Sequence, residues 1–317
     1  MISDLQHKRI IFVTGKGGVG KSTIVSSMGI MFNRMARKPL IVEFSPDKSI
    51  EHIFNIKADT YREVEIEKNL LYFRISSAEA LREYMKRQLI IDALSRFVMN
   101  TKFYRYFSDT APGLKELVLV GKLYDLERKR DDSGDYLYDP IIVDAPQLGK
   151  FIPFIKTPDT VIRMFRIGPV KKEAEKVNSL VSSDKCAVII VTTPDKMSIS
   201  EALEAKQAIK QLSHTELKMV IINRTLSLMV QNMDINYYKQ RLDDIIDNKA
   251  DKVSISNALE KLLKSISIEY ANIKELKEDL HDIATVSLPL TDTDSGKLKI
   301  AESLFDYLSM DNAFEKK

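Results

Sequence analysis

Short runs of β-branched and other apolar residues alternate with longer amphipathic stretches along this chain of 317 residues. The alternation is typical of βαβ units around a parallel sheet, and the unbroken apolar runs suit strands covered on both faces. The pattern predicts strands over residues 9–14, 38–43, 70–75, 140–144, 186–193, 217–223 and 284–288. It predicts helices over residues 21–36, 78–98, 114–129, 170–182, 198–213, 235–247, 254–281 and 296–310. The predicted fold class is therefore α/β, with a mostly parallel sheet flanked by helices.

The spacing of the predicted strands is uneven, because the third ends at residue 75 and the fourth begins only at residue 140. A simple helical crossover needs far fewer residues, so we expect a helical insertion at about 77–137. Residues 150–183 form a second, largely helical segment. We interpret residues 1–317 as a single domain in which these two insertions form a helical subdomain.

The predicted helix over residues 254–281 carries apolar residues in a near-heptad pattern that Glu269 interrupts. We expect it to form an antiparallel hairpin with the helix over residues 235–247 and to pack on the sheet. A coiled-coil partner site is the less favoured interpretation.

A glycine-rich loop follows the first predicted strand and fits the phosphate-loop pattern G-x-x-x-x-G-K-[ST]. Glycines in such a loop let backbone N–H groups surround phosphates, and the next helix directs its positive end toward them. Lys21 is expected to reach the β- and γ-phosphates, and the Ser22 hydroxyl to bind Mg²⁺. The predicted nucleotide-binding residues here are Gly15, Gly17, Gly18, Val19, Gly20, Lys21, Ser22 and Thr23.

A magnesium-bound nucleotide also needs a carboxylate at the end of a second buried strand, and Asp144 ends the fourth predicted strand. The alternative is that Asp144 only caps the segment after it. Pro146 followed by Gly149 predicts a stiff turn and then a flexible one. We interpret residues 144–150 as a switch loop that responds to a γ-phosphate.

Composition excludes several classes of protein. Hydrophobic residues make up 44% and charged residues 29%, which is a globular mixture, and no apolar run approaches the length of a membrane span. We therefore expect no integral membrane segment and a cytoplasmic protein. The net charge of +3 does not favour a nucleic-acid partner. The single cysteine, Cys186, lies in an apolar run and is expected to be a buried residue without a redox or metal role.

Several ordered segments together resemble the ATPase family that includes arsenical-pump ATPases and ATPases that target tail-anchored membrane proteins, with the bacterial anion-transporting branch most similar. The resemblance is carried by residues 15–23, 40–49, 111–117, 143–150, 166–177, 191–205 and 221–225. It implies an ATP-binding homodimer with nucleotides at the interface. Lys16, in the deviant form of the phosphate loop, would then act across the interface on the partner's nucleotide. Asn223 matches the family's adenine-reading asparagine, and Pro289 lies where the other adenine loop lies.

The chain departs from this family in ways that bear on its activity. Ser45 stands where the targeting proteins carry a water-positioning aspartate, so Glu43 or Asp47 is the candidate substitute. With one cysteine, the chain has neither the C-x-x-C of a zinc-clasped dimer nor the thiolates that arsenite binding needs.

The favoured hypothesis is an ATPase that uses Mg²⁺ and ATP to switch the conformation of a homodimer. The alternative is a nucleotide-gated chaperone or targeting factor with little hydrolysis, which binds apolar protein segments on the helical subdomain. Its basis is an apolar stripe that includes Tyr84, Met85, Leu89, Ile90, Ile91, Leu94, Phe97, Val98, Met99, Phe103, Tyr104, Tyr106 and Phe107. A DNA- or membrane-bound partitioning ATPase is less favoured, since the last helix is mixed in charge, and an oxyanion pump subunit is the weakest hypothesis.

Overall fold

The computed structural model describes residues 2–44, 47–88, 113–212, 215–226, 228, 249–291 and 296–309. Its strands are β1 (Ile10–Gly15), β2 (Leu40–Glu43), β3 (Glu63–Glu67), β4 (Leu70–Arg74), β5 (Ile141–Asp144), β6 (Cys186–Thr192), β7 (Leu217–Thr225) and β8 (Ala284–Pro289). They form one sheet in the order β3-β4-β2-β5-β1-β6-β7-β8. Every neighbouring pair is parallel except β3 with β4. The predicted α/β class is confirmed.

Helices cover both faces of the sheet. They are α1 (Lys21–Arg34), α2 (Ser49–Phe54), α3 (Ser77–Gln88), α4 (Leu114–Glu127), α5 (Leu148–Met164), α6 (Pro169–Val181), α7 (Lys196–Lys210), α8 (Lys249–Asp279) and α9 (Lys297–Ser309). Side chains of α3 to α7 and the end of α8 share a core with one face, and α1, α2 and α9 share a core with the other. Ile10 and Phe12 of β1 face the first core, whereas Ile11 and Val13 face the second. Burial on both faces is the reason that the central strands are continuously apolar.

Three elements are present that the sequence pattern did not predict, and one of them is the 3₁₀ helix over Ile2–Leu5. Strand β3 pairs antiparallel with β4 at the sheet edge, and its glutamates are exposed while Val64 and Ile66 between them are half-buried. Charged residues along an edge strand prevent pairing with other chains, and they also make the strand hard to recognise as one. The third unpredicted element is the short helix α2.

The segment over residues 150–183 consists of α5 and α6 with a break at residues 165–168. Helix α5 already begins at Leu148, so Gly149 is helical and the predicted flexible turn there is wrong. Only residues 145–147 of the predicted switch form irregular backbone.

Several predictions concern residues outside the described part of the chain. These are the helix over residues 235–247, the end of the helix predicted to residue 98, and most of the apolar stripe. The described helices of the first insertion, α3 and α4, pack into the same core as the sheet. A separate helical subdomain stays a prediction.

Glu269, which interrupts the heptad pattern of α8, is only 6% exposed and accepts a hydrogen bond from the backbone N–H of Leu226 at 3.1 Å. The glutamate therefore connects α8 to the chain directly after β7. Among the described residues, no helix is both long and apolar enough to cross a membrane.

Candidate functional site

The loop between β1 and α1 is held in place by close packing at its two ends. A Cβ atom on Gly15 would lie 2.1 Å from the carbonyl oxygen of Val191, so only glycine fits there. Gly18 and Gly20 have φ angles of 82° and 97°, which glycine adopts without the strain other residues incur. Val19 between them is 3% exposed and packs into the core. The loop between β1 and α1 is thus a turn of fixed conformation, and α1 begins directly after it.

Ser22 and Asp144 meet as the sequence predicted. Parallel pairing places Asp144 opposite Val13, next to the loop, and the Ser22 hydroxyl donates to Asp144 Oδ2 at 2.6 Å. Burial raises the pKa of Asp144, while the hydrogen bond from Ser22 and the charge of Lys21 oppose that rise. Burial likewise lowers the pKa of Lys21, and Asp144 opposes it. Lys21 Nζ donates to the carbonyl of Lys16 at 3.0 Å.

Hydroxyl and carboxylate oxygens of this kind fit Mg²⁺, a hard cation that keeps several waters and takes only one or two protein ligands in phosphate sites. Within the described residues no cluster of three or more His, Cys, Asp or Glu side chains could hold a metal. A site built from Ser22 and Asp144, completed by water and phosphate oxygens, would agree with this ligand preference.

The switch segment after β5 is anchored to β1. The backbone N–H of Ala145 donates to Val13 O at 3.0 Å, and the Thr14 hydroxyl donates to Pro146 O at 2.7 Å. Gln147 follows as the residue before α5, and its side chain lies against Gly17 of the phosphate loop. Movement of this segment would therefore change the contact between Gln147 and Gly17 and so disturb the phosphate loop.

The two carboxylates proposed to replace the missing aspartate occupy different environments. Glu43 has no exposed surface; its Oε1 accepts from the Ser49 N–H at 2.8 Å and its Oε2 from the Tyr72 hydroxyl at 2.5 Å. Burial raises the pKa of Glu43, the Tyr72 hydrogen bond opposes that rise, and Asp144 adds to it. Asp47, by contrast, lines the cleft. Ser45 lies outside the described residues.

A cleft of about 1230 Å³ opens at the carboxyl ends of the central strands, the usual ligand position in open parallel sheets. Of the predicted nucleotide-binding residues, those that line it are Gly17, Gly18, Gly20, Lys21, Ser22, Thr23 and Asn223. Asn223 is 5% exposed, and its Nδ2 donates to Val19 O at 2.8 Å, so it also supports the loop. Pro289 ends β8, and Leu290 after it lines the cleft.

Sequence reasoning missed other residues that line the cleft: His52, Gln147, Lys150, Arg224, Thr291 and Lys297. Arg224 follows Asn223 at the end of β7, and Gln147 and Lys150 lie within the predicted switch. Polar residues near the carboxyl ends of parallel strands were the signal that could have found these three.

Lys16 lies beside α7, where its Nζ is 3.1 Å from Glu201 Oε1 of the same chain. The two side chains are 29% and 40% exposed, so this ion pair is at the surface. The contact across a dimer interface stays a prediction.

A strand, a G-x-x-x-x-G-K-S loop and a helix, with a hydrogen-bonded Ser–Asp pair at the neighbouring parallel strand, define a P-loop nucleoside triphosphatase. A profile of the anion-transporting ATPase family matches residues 8–181. The chain is 30% identical over 242 residues to ATPase BagA of Mycobacterium tuberculosis, covering 74% of this chain and 70% of that protein. It is 27% identical over 165 residues to ATPase asna-1 of Caenorhabditis elegans, covering 49% and 46%. The chain belongs to the anion-transporting ATPase family, and it is a nucleotide-binding ATPase of that family.

Proposed function

We propose that the chain hydrolyses ATP with Mg²⁺ as cofactor and that the γ-phosphate switches the conformation of a homodimer. The hydrogen-bonded pair of Ser22 and Asp144 beside Lys21 is the observation that carries this proposal. Ser22 and Asp144 would hold the cation, which neutralises the charge that develops on the phosphates, and Lys21 would bind the β- and γ-phosphates. Of the two carboxylates, Asp47 is the candidate that lines the cleft, and Glu43 would support its loop through the Ser49 N–H.

The hydrolysis proposal is tested by Lys21→Ala, with release of inorganic phosphate as the assay. We expect turnover to fall by about 10²-fold or more, because the phosphates lose a charge that is preorganised for the transition state. Lys210→Ala, an exposed lysine at the end of α7, is the matched control and should leave turnover unchanged. Wild-type turnover in Lys21→Ala, with a circular dichroism spectrum like that of the parent, would refute the proposal.

The dimer proposal rests on Lys16, a residue of the phosphate loop whose side chain is at the surface. Light scattering on the chain with a non-hydrolysable ATP analogue and Mg²⁺ should give twice the mass measured with ADP. Lys16→Ala should still bind the analogue but cut turnover, since its charge would act on the partner's nucleotide. A monomeric mass with both nucleotides would contradict the dimer proposal and would leave the hydrolysis proposal unaffected.

A second candidate function, a nucleotide-gated factor for apolar protein segments, is favoured by a surface feature at the end of α5. Met164, Phe165 and Ile167 are 54%, 38% and 87% exposed. Exposed apolar side chains grouped together are typical of a protein-binding surface.

Binding of a fluorescent apolar helical peptide in the presence of ATP or ADP tests this function. We expect affinity to depend on the nucleotide and to fall about tenfold, or 1.4 kcal/mol, in Ile167→Asp. Ile268→Asp is the control, since Ile268 of α8 is 53% exposed and is not part of this surface. Equal loss in both variants, or no binding at all, would count against the second function.

A further inference from the structure

Gln147 occupies a fixed backbone position at the junction between the switch segment and α5. The preceding residue is held by the hydrogen bond from Thr14 to Pro146 O at 2.7 Å. The Gln147 carbonyl accepts from the backbone N–H groups of Lys150 and Phe151, each at 2.8 Å, as α5 begins. With both sides anchored, the fold fixes the position of the Gln147 backbone and the direction of its Cα–Cβ bond.

That side chain reaches the phosphate loop. A Cβ atom built on Gly17 would lie 2.8 Å from Gln147 Nε2, 3.3 Å from Cδ and 3.6 Å from Oε1, so the carboxamide rests on the glycine itself. Gln147 and Gly17 both line the cleft, together with Lys21 and Ser22. A side chain at this position would have to displace the carboxamide, so glycine allows the close approach.

The carboxamide differs in two respects from the carboxylates of Asp144 and Glu43. Asp144 already accepts from Ser22, and both oxygens of Glu43 accept hydrogen bonds inside the core. Gln147 is exposed in the cleft and needs no deprotonation to act. A carboxamide offers two donor hydrogens and one acceptor oxygen, so it can hold a water and a phosphate oxygen at once.

We propose that Gln147 is a catalytic residue that orients the attacking water in the hydrolysis of ATP, an inference that rests on the proposed function. In the reaction, the water oxygen forms a bond to the γ-phosphorus and the bond to the β–γ bridging oxygen breaks, which leaves ADP. The water proton passes to the phosphate product or to solvent, and nothing is oxidised or reduced. The carboxamide takes no proton, so its contribution is alignment and hydrogen bonding in the transition state.

Two substitutions separate the carboxamide from its packing. Gln147→Met keeps a long side chain over Gly17 but removes the donor and acceptor, and Gln147→Ala removes both. We expect either change to lower kcat by about 10²-fold with KM changed less than about threefold, as for an interaction made only in the transition state. Gln211→Ala, at the exposed end of α7, is the control and should behave as the wild type.

A binding measurement supplies a readout that does not depend on turnover. By calorimetry with Mg²⁺, both Gln147 variants should keep their affinity for a non-hydrolysable ATP analogue and lose affinity for ADP with aluminium fluoride, which mimics the transition state. Full activity in Gln147→Met would overturn the inference, because packing alone would then suffice. Loss of affinity for the ground-state analogue would also overturn it, since that indicates support of the loop.

The wild type and Lys21→Ala distinguish this inference from the proposed function. If Lys21→Ala is inactive while Gln147→Ala and Gln147→Met keep the wild-type kcat, only the inference fails. If the wild type itself hydrolyses no ATP, the proposed function fails and the inference fails with it.

Discussion

Tyr72→Phe removes a single hydroxyl from a fully buried position and tests how the core tolerates the charge of Glu43. Tyr72 lies on β4 with no exposed surface, and its hydroxyl donates to Glu43 Oε2 at 2.5 Å. The same hydroxyl is 3.4 Å from Glu51 Oε1, which is paired with Arg74 at 3.0 Å. The substitution leaves the ring, the strand and these ion-paired neighbours in place.

The expected effect follows from the number of hydrogen bonds that the carboxylate keeps. Glu43 accepts from the backbone N–H groups of Ser49 and Ile50 and from the Tyr72 hydroxyl, and the substitution removes only the hydroxyl. A hydrogen bond to a charged group contributes roughly 1.5–3 kcal/mol, and burying a charge without it is unfavourable. We expect Tyr72→Phe to lower the free energy of unfolding by about 2 kcal/mol.

Tyr84→Phe is the matched control. Tyr84 of α3 is 8% exposed, and its hydroxyl is buried without a hydrogen-bond partner in the described part of the chain. Removal of an unpaired buried hydroxyl should be neutral or stabilising, by up to about 1 kcal/mol. Both tyrosine substitutions remove one hydroxyl group. Their effects on the free energy of unfolding should nevertheless differ in sign or be of very different size.

Urea unfolding followed by far-ultraviolet circular dichroism measures both variants, since the chain has no tryptophan to serve as a fluorescence probe. Equal destabilisation by the two substitutions would refute the reasoning, because the loss would then not depend on the hydrogen bond. So would a change below about 0.5 kcal/mol in Tyr72→Phe, the level at which ordinary surface substitutions lie.

The pH dependence of stability shows whether the loss in Tyr72→Phe comes from the charged form of Glu43. Burial raises the pKa of Glu43 in the folded protein above its ordinary value of 4.5. Protonation of Glu43 therefore favours the folded state, fully below pH 4.5, and this stabilisation is lost as the pH rises through the pKa of the folded protein. Loss of the Tyr72 hydroxyl should raise that pKa further. The difference between wild type and Tyr72→Phe should therefore be largest above the folded pKa and shrink as the pH falls through it.

Three further substitutions or probes have simple expected outcomes. Cys186 is 1% exposed and burial raises its pKa to about 12, so a disulfide reagent should label it only as fast as the chain unfolds; rapid native labelling would contradict this. Phe151→Ala should cost about 3–5 kcal/mol in urea unfolding, because this fully buried ring packs 5.8 Å from that of Phe12. Glu201→Gln should change stability by less than about 1 kcal/mol, since its ion pair with Lys16 is at the surface. It should also raise the ATP-dependent dimer fraction in light scattering by releasing Lys16.

The parts of the fold that sequence predicted are those in which local pattern and tertiary environment agree. All seven predicted strands occur, and the runs of the central strands β1, β2, β5 and β6 are buried on both faces, as at Ile10 and Ile11. Strand β3 was missed because its exposed glutamates serve the sheet edge rather than a core. Glu269 was treated as a break in a heptad, whereas it accepts a hydrogen bond from Leu226, a contact 43 residues away that no local pattern contains.

The candidate site likewise has features that could be predicted from sequence and features that could not. The meeting of Ser22 with Asp144 was predictable, because a loop after one parallel strand and a carboxylate ending its neighbour must lie at the same edge. The separate environments of Glu43 and Asp47 were not predictable, since they depend on which side chains of β4 and α2 surround each carboxylate. Gln147 was missed for a related reason: its contact with Gly17 joins two loops whose geometry only the fold defines.

The net charge of the whole chain did not indicate the nucleotide site, because the charges that matter are those that line the cleft. A net charge of +3 among 93 charged side chains, 48 basic and 45 acidic, is close to neutral. Among the described residues that line the cleft, the basic ones are Lys21, Lys150, Arg224 and Lys297, and the carboxylates are Asp47 and Asp144, so positive charge predominates there. Cations concentrated in a concave site raise the local concentration of an anionic ligand, whatever the total charge of the molecule. Nucleotide affinity should therefore fall as ionic strength rises, and Lys297→Ala, outside the phosphate loop, should weaken that salt dependence while leaving unfolding unchanged.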